Sequence, residues 1–152
     1  HLEPLRELLI KEWGARLTSG YEADDAIGIA LTENPDAVIV SIDKDLKQLP
    51  CKFWDPVKEI YEEISEQQGL ITFYRHLMIG DSSDNVPGVR GIGKVKASKL
   101  ITEGMTEKEM FDTVRKQFGD DKQFLLTTDL IHVWRWEGDL FSQRENTIKW
   151  MK

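Results

Sequence analysis

The amino-terminal part of the chain carries hydrophobic residues at helical spacing. Apolar side chains recur at three- and four-residue steps from Leu5 to Leu17, which predicts an amphipathic helix over residues 3–17 that ends before Gly20. The same kind of periodicity predicts a second helix over residues 22–33. The chain is therefore expected to begin with two helices.

The hydrophobic pattern then changes to one typical of strands. Residues 37–42 form a nearly continuous β-branched run, which is expected for a buried strand of a parallel sheet. Residues 46–49 are predicted to form one short helical turn, and residues 52–54 and 59–64 are predicted to form short strands. This region therefore predicts a small sheet that follows the two helices.

The second half of the chain returns to helical periodicity. Residues 80–93, between the first two of its predicted helices, are dense in Gly, Pro, Asp and Ser, which favours loops and turns. Thr106 and Glu109 match a capping box at the start of one helix. The predicted helices are residues 71–79, 94–101, 107–118 and 122–134.

The order of elements predicts an α/β fold with two regions. Residues 1–68 are expected to form part of a parallel-sheet domain, and residues 69–152 a helical region. The boundary is placed near Gln67-Gln68-Gly69, where the strand pattern has ended and the helical pattern begins.

Composition indicates a globular protein. Of the 152 residues, 40% are hydrophobic and 31% charged, and no apolar run is long enough to span a membrane. The single cysteine, Cys51, cannot form an internal disulfide, which predicts a cytoplasmic location. Because His1, His76 and His132 are scattered along the sequence, a zinc site is not expected.

The distribution of charge is more informative than its sum. A formal net charge of −7 argues against a nucleic-acid partner, because DNA-binding surfaces are usually basic. Residues 89–100, however, contain no acidic side chain and four basic ones: Arg90, Lys94, Lys96 and Lys99. This segment therefore predicts a phosphate-binding surface on an otherwise acidic chain.

Two short acidic stretches lie at the edges of predicted elements in the first half. Glu22, Asp24 and Asp25 lie at the start of the second helix, where carboxylates can simply complement the helix dipole. Asp43 and Asp45 follow the predicted strand, and the carboxyl ends of strands bind ligands in open α/β sheets. A polar turn that caps the next helix is the alternative for this pair.

A third acidic pair, Asp81 and Asp84, lies in the loop-forming segment, where turn formation is again the simpler alternative. If the three stretches converge, their mutual repulsion requires cations. Hard divalent ions such as Mg²⁺ take oxygen ligands, and two ions about 4 Å apart can promote phosphodiester cleavage. Spacing alone does not establish that the stretches converge.

Residues 87–94 predict a glycine hairpin that leads into a basic helix. Gly91 and Gly93 allow a tight turn with the backbone close to a ligand, and the helix after it offers free N–H groups to a phosphate. Such contacts position DNA without reading its sequence. A simple loop with a solvated basic helix is the alternative. The order of apolar residue, Gly, Ile, Gly and basic helix is the helix-hairpin-helix pattern.

Three motifs together resemble a known family. Tyr-Glu-Ala-Asp-Asp at 21–25, Ser-Ile-Asp-Lys-Asp at 41–45, and the stretch from Gly-Asp-Ser-Ser-Asp-Asn to Gly-Ile-Gly-Lys at 80–94 occur in the order found in 5′-nucleases. That family comprises phage flap endonucleases and 5′→3′ exonucleases and the 5′-nuclease domain of bacterial DNA polymerases. The resemblance covers about residues 5–135.

The resemblance implies a metal-dependent hydrolase of DNA replication or repair. It would cut phosphodiesters of flap, nicked or 5′-ended DNA with two Mg²⁺ or Mn²⁺ ions. The first cluster of metal ligands would lie in the 21–25 motif and the second in the 80–94 motif, with the aspartates of the 41–45 motif between them. The implied catalytic and metal-binding residues are Glu22, Asp24, Asp25, Asp43, Asp45, Asp81 and Asp84.

The resemblance also implies roles for the hairpin. It would grip duplex DNA beside the cut, and in some family members its backbone carbonyls hold a K⁺ ion, for which Val89 and Ile92 are the candidates here. The implied DNA-binding residues are Gly88, Arg90, Gly91, Gly93, Lys94, Lys96 and Lys99. The fold implied is a partial parallel-sheet 5′-nuclease domain of the PIN-like type, followed by a helix-hairpin-helix region.

The sequence departs from the family pattern at its amino-terminal side. Family members carry a further strand, two more metal-binding aspartates and a basic helical arch before the first motif, whereas the chain begins at His1. We therefore expect weak or no cleavage by residues 1–152 alone. The remainder is expected either in a part of the protein outside this sequence or in a separate chain, in a bacterial or phage-infected cell. A non-catalytic DNA-junction-binding module and a nuclease acting on RNA are the alternatives.

Overall fold

The computed structural model describes residues 2–152. Helix α1 spans Glu3–Trp13 and helix α2 spans Ala23–Glu33. The prediction that the first helix reaches residue 17 is wrong, because Gly14 adopts a left-handed conformation with φ of 67° and its N–H caps Leu9. Each helix of the described residues lacks either the length or the apolar character needed to cross a bilayer.

A three-stranded sheet follows the first two helices. Strand β1 (Val38–Val40) pairs in parallel with β2 (Cys51–Asp55), and β2 pairs antiparallel with β3 (Ile60–Ile64). A 3₁₀ helix at Asp45–Gln48 connects β1 to β2, where a short helical turn was predicted. The sheet and its strand order agree with the predicted α/β class.

Strand β1 differs from the buried strand that its sequence predicts. Only Ile39 is buried, whereas the side chains of Val38 and Val40 are 47% and 64% exposed. Among the described residues β1 pairs only with β2, so one of its edges is free. The expectation of burial on both faces is therefore wrong for this strand.

The second half is helical, as predicted. After helix α3 (Glu66–Ile79) comes a two-stranded ribbon of β4 (Gly80–Asp81) and β5 (Val86–Pro87). The predicted capping box of Thr106 and Glu109 is present at the start of α5. The remaining elements are α4 (Lys94–Leu100), α5 (Glu107–Phe118), α6 (Asp121–Ile131), a 3₁₀ helix (Phe141–Gln143) and α7 (Glu145–Met151).

Helix α3 begins earlier than its periodicity predicts. Ser65 and Gln68 form a reciprocal capping box at its start, so the helix runs through the proposed boundary at residues 68 and 69. The buried side chains form two separate groups, and the proposed division into two regions stays a prediction. One group lies around Phe53 beside the sheet, and the other lies around Phe111 among the helices.

Close backbone contacts join the two groups. A Cβ added to Gly69 would lie 2.5 Å from the Gln48 carbonyl oxygen, so α3 approaches the 3₁₀ helix closely. The Gln48 amide donates to the carbonyl oxygen of Ile131 at 3.0 Å. Gly28 on α2 is even closer to its neighbour, since its Cβ would lie 2.1 Å from the Trp134 carbonyl oxygen. The fold therefore depends on small residues at these crossings.

Candidate metal centre and nucleic-acid interface

An open cleft of about 720 Å³ lies between the sheet region and the helical region. The segment after β1 provides Asp43 and Asp45, and the loop after α3 provides Asp81 and Asp84. These four carboxylates come from two of the three acidic stretches, and Lys94 at the start of α4 lines the same cleft. The structure thus brings acidic groups that are distant in sequence to one side of the molecule.

Local hydrogen bonds hold the acidic side chains of the cleft. Asp43 accepts from the backbone N–H of Asp45 at 2.9 Å, which turns the chain from β1 into the 3₁₀ helix. Asp81 accepts from the backbone N–H of Ser83 at 2.7 Å. Each of these bonds occupies one carboxylate oxygen and leaves the second oxygen free for a ligand.

A compact group of possible metal ligands lies within this cleft. Asp45, His76 and Asp81 each offer one ligand atom, and these atoms lie within 4.8 Å of one another. His76 Nδ1 is 3.6 Å from Asp45 Oδ1, and His76 Nε2 is 3.5 Å from Asp81 Oδ2. All three side chains are partly buried. The group is therefore of the size that a single ion requires.

The third acidic stretch is electrostatically linked to the same cleft. Burial raises the pKa of Glu22, and the negative charges of Asp24, Asp25 and Asp84 raise it further. Burial also raises the pKa of Asp24, with the charges of Asp25 and, more weakly, Asp43 acting in the same direction. The charges of Asp84 and Asp43 therefore act on Glu22 and Asp24, although neither Glu22 nor Asp24 lines the cleft.

Within the Asp45–His76–Asp81 group, the pKa values of the two carboxylates are shifted in opposite directions. Burial raises the pKa of Asp45, and His76 opposes that change. The hydrogen bond from the Ser83 backbone lowers the pKa of Asp81, which keeps this carboxylate charged. A cation that bound here would offset the cost of holding these acidic groups together.

Asp25 has a different environment from its neighbours. It is buried, and its Oδ1 accepts from the backbone N–H of Trp134 at 2.9 Å. Its Oδ2 accepts from the backbone N–H of Glu22 at 3.3 Å. Asp25 therefore anchors the start of α2 to the segment after α6, and its role as a metal ligand stays a prediction.

His76 is the residue of this cleft that sequence reasoning missed. It was grouped with scattered histidines, yet it lies on the last turn of α3, where its carbonyl accepts from the capping N–H of Gly80. Helical spacing gave no signal for this pairing, because His76 is five residues before Asp81, α3 ends at Ile79, and side chains share a helix face at spacings of three or four. The position of Asp45 beside it follows only from the tertiary fold.

The predicted hairpin follows β5 and packs tightly against the end of α3. Val89 donates its backbone N–H to the Met78 carbonyl at 2.8 Å, and a Cβ on Gly88 would lie 2.3 Å from the Ile79 carbonyl carbon. Gly91 has φ of 78°, a conformation that favours glycine. The hairpin is thereby held beside the acidic cleft.

Val89 and Ile92, the two candidates for binding K⁺ through their backbone carbonyls, lie in the turn of the hairpin. The Val89 carbonyl accepts from the Ile92 N–H at 3.0 Å, which closes the turn, and the Ile92 side chain is buried. One lone pair of the Val89 oxygen remains free for a cation. A potassium site at Val89 and Ile92 stays a prediction.

The basic side chains around the hairpin are exposed. Within residues 2–152, none of them forms an ion pair. Val95, between two of the lysines, is 73% exposed. The basic residues are Arg90, Lys94, Lys96 and Lys99. A surface of this kind can contact the phosphates of a nucleic acid.

Comparison with known proteins identifies relatives that process DNA, although no family model matches the chain. The chain is 35% identical over 117 residues to DNA polymerase I of Caldicellulosiruptor bescii. It is 32% identical over 111 residues to flap endonuclease Xni of Shewanella denitrificans, and 35% identical over 113 residues to a 5′-3′ exonuclease of Bacillus subtilis.

These similarities cover a defined part of each protein. The similarity to the DNA polymerase covers 64% of this chain and 14% of the polymerase. The similarity to the flap endonuclease covers 64% of this chain and 44% of that protein, and the similarity to the exonuclease covers 63% and 38%. The chain therefore spans less than half the length of each of these relatives. The acidic cleft and the basic hairpin are the features of the structure that bear on a shared chemistry.

Proposed function

We propose that the chain, which is similar to flap endonucleases and 5′→3′ exonucleases, contributes metal ligands and a DNA grip to a structure-specific 5′-nuclease. The substrate would be flap, nicked or 5′-ended DNA, and the reaction would be hydrolysis of a phosphodiester. The observation that carries this proposal is the acidic cleft, in which Asp45 and Asp81 lie beside the basic start of α4.

The residues of the cleft fit divalent cations. Carboxylate oxygens are the preferred ligands of Mg²⁺ and Mn²⁺, and Asp45 and Asp81 each have a free oxygen in a group that spans less than 4.8 Å. Glu22 and Asp24 would hold a first ion, and Asp45, Asp81 and Asp84 a second. When bound, two such ions would polarise the phosphate and provide a nucleophile at neutral pH, so no side chain need act as general base.

Lys94 connects the acidic cleft to the DNA-binding surface. Its side chain lines the cleft together with Asp43 and Asp84, and it also borders the hollow formed by Lys96 and Lys99. A phosphate held by Lys94 would lie beside the carboxylates without a sequence-specific contact. The hairpin would therefore position the strand that is cut.

We also propose that residues 1–152 alone cleave weakly. Strand β1 has a free edge, and Val38 and Val40 are exposed beside the segment that carries Asp43 and Asp45. A further strand on that edge would bury these side chains and fix the position of the following acidic segment. A separate chain or another part of the full-length protein would provide that strand.

The test uses a labelled 5′-flap substrate and the full-length protein. We expect cleavage with Mg²⁺ or Mn²⁺ and none with a chelator. Asp84→Asn should lower the cleavage rate at least about 100-fold, because one metal ligand is lost, while DNA affinity is kept or increased. Asp36→Asn is the matched control, since Asp36 is fully exposed and is not among the residues that line the cleft.

Two outcomes would overturn the proposal. Equal cleavage with metal and with chelator would exclude the metal mechanism. Tight binding of flap DNA without any cleavage by the full-length protein would instead support a non-catalytic junction-binding module. A competition between RNA and DNA flaps in the same assay would decide between the two kinds of substrate.

A further inference from the structure

We propose that His76 is a nitrogen ligand of the ion bound between Asp45 and Asp81, which makes this a mixed nitrogen and oxygen site for a first-row transition metal. The inference rests on the proposed function only in that both place a divalent ion in the acidic cleft. It assigns a residue outside the acidic motifs, and it predicts that this ion is Mn²⁺ or Co²⁺ in preference to Mg²⁺.

The distances show that the ring lies between the two carboxylates without a hydrogen bond to either of them. His76 Nδ1 is 3.6 Å from Asp45 Oδ1, and His76 Nε2 is 3.5 Å from Asp81 Oδ2, which are both long for hydrogen bonds. Ligand atoms bound to one ion at about 2.1 Å lie roughly 3–3.5 Å from each other, and because an imidazole binds an ion through one nitrogen, one of these two distances joins ligands of the same ion. One atom from each of the three residues lies within 4.8 Å of the others.

The imidazole lacks another partner. Only 13% of the His76 side chain is exposed, and Nδ1 is buried without a hydrogen bond. Buried polar atoms in folded proteins are nearly always satisfied by protein, water or an ion. Neither ring nitrogen makes a hydrogen bond within the described residues, so coordination of one nitrogen by an ion would account for its position.

Packing keeps the ring at this position. His76 is followed on α3 by Leu77 and Met78, which are fully buried. Arg75 bonds to the Ile101 carbonyl at 2.7 Å, which ties the same turn to the end of α4. Asp45 lies on the 3₁₀ helix, which packs against α3. The three ligands are therefore supplied by elements that are held together by packing.

The ligand set has a consequence for metal choice. Mg²⁺ prefers oxygen ligands and keeps much of its water, whereas imidazole favours transition metals. Two carboxylates and one imidazole therefore favour Mn²⁺ and Co²⁺ over Mg²⁺. The rival explanation is a charged imidazole that pairs with both carboxylates and leaves no room for an ion.

The test measures metal binding by calorimetry and by the visible absorption of Co²⁺, with full-length protein. We expect His76→Gln to weaken Co²⁺ binding by about 10- to 100-fold and to change the Co²⁺ spectrum, because a nitrogen ligand is lost. Mg²⁺ binding should change by less than about threefold. Thr72→Ala is the matched control, since Thr72 lines the cleft one turn earlier on α3. Circular dichroism checks that each variant is folded.

Asp81→Asn separates this inference from the proposed function. If Asp81→Asn abolishes binding of both metals while His76→Gln changes neither the affinity nor the spectrum, His76 is not a ligand and the metal-dependent nuclease stands. Tighter metal binding by His76→Gln would favour the rival explanation and overturn the inference. If neither variant affects either metal, both the inference and the proposed site are wrong.

Discussion

At the scale of single residues, buried charge occurs outside the acidic cleft as well. Asp139 is 1% exposed, and it accepts hydrogen bonds from His132 at 3.0 Å and from Arg144 at 2.8 Å. Burial alone would raise the pKa of Asp139, but the bonds from His132 and Arg144 hold that pKa below its ordinary value. Burial also lowers the pKa of His132, so the ring donates as a neutral imidazole.

The first prediction concerns Asp139→Asn. This variant should lose about 3 kcal/mol of unfolding free energy at pH 7, because Arg144 loses its buried partner. Since folding lowers the pKa of Asp139, its contribution is complete above the unfolded value of about 4 and is lost as the pH falls below it. Urea denaturation at pH 7, 5 and 3 should show a difference from wild type that narrows at the lowest pH.

The exposed Asp36→Asn serves as the control for Asp139, and it should change the unfolding free energy by less than about 0.5 kcal/mol. Equal losses of unfolding free energy for the two variants at pH 7 would contradict a stabilising role for Asp139 as the buried partner of Arg144. The same role would be contradicted if the difference in unfolding free energy between wild type and Asp139→Asn widened as the pH falls.

The second prediction concerns Cys51. Burial raises the pKa of the Cys51 thiol to about 11, so little thiolate exists at pH 8. Iodoacetamide should leave the native protein unmodified at pH 8 and alkylate it once urea unfolds the chain. Mass spectrometry follows the modification, and equal rates in the native and unfolded protein would show that Cys51 is exposed.

At the scale of elements, the sequence predicted the presence of the helices more accurately than the residues at which they end. The capping box at Thr106 was readable because both partners are local. The end of α1 was not, because residues beyond Gly14 keep a helical pattern, and Leu17 stays 72% exposed. Strand β1 was identified from its β-branched residues, but the exposure of Val40 depends on which strands lie beside it.

The third prediction tests the crossing of α2 with the segment after α6. Gly28→Ala should lower the unfolding free energy by about 2 kcal/mol or more, because the new Cβ would lie 2.1 Å from the Trp134 carbonyl oxygen. Gly93→Ala is the control, since no atom lies within 4 Å of its added Cβ, and a change below about 1 kcal/mol is expected. Chemical denaturation measures both, and equal values would contradict the close contact.

The fourth prediction concerns the basic hairpin. Lys94→Ala with Lys96→Ala should weaken binding of flap DNA and reduce the slope of log affinity against log salt by roughly 1 to 2, because two phosphate contacts are lost. Lys108→Ala with Lys149→Ala removes two positive charges from α5 and α7 as a matched control. Fluorescence anisotropy at several salt concentrations gives the slopes. An equal decrease for both pairs would mean that the hairpin is not the contact surface.

At the scale of the whole molecule, the division of charge reconciles an acidic chain with the proposed binding of DNA. The net charge is −7, yet the basic surface at Arg90, Lys94, Lys96 and Lys99 lies beside an acidic cleft. Two of the three motifs supply Asp45 and Asp81, which lie close together, whereas the joining of Glu22 and Asp24 to a metal site stays a prediction. The sequence did not predict that Asp25 bonds to the Trp134 backbone or that His76 faces Asp45, since both contacts join segments far apart in the chain.

The most direct test of the account is anomalous X-ray diffraction from crystals of the full-length protein soaked with Mn²⁺. The account predicts a strong anomalous peak within about 2.5 Å of oxygens from Asp45 and Asp81, and a second peak beside Glu22 and Asp24. Absence of both peaks at saturating Mn²⁺, with the acidic side chains turned away from one another, would contradict the convergence of the three acidic stretches on divalent ions.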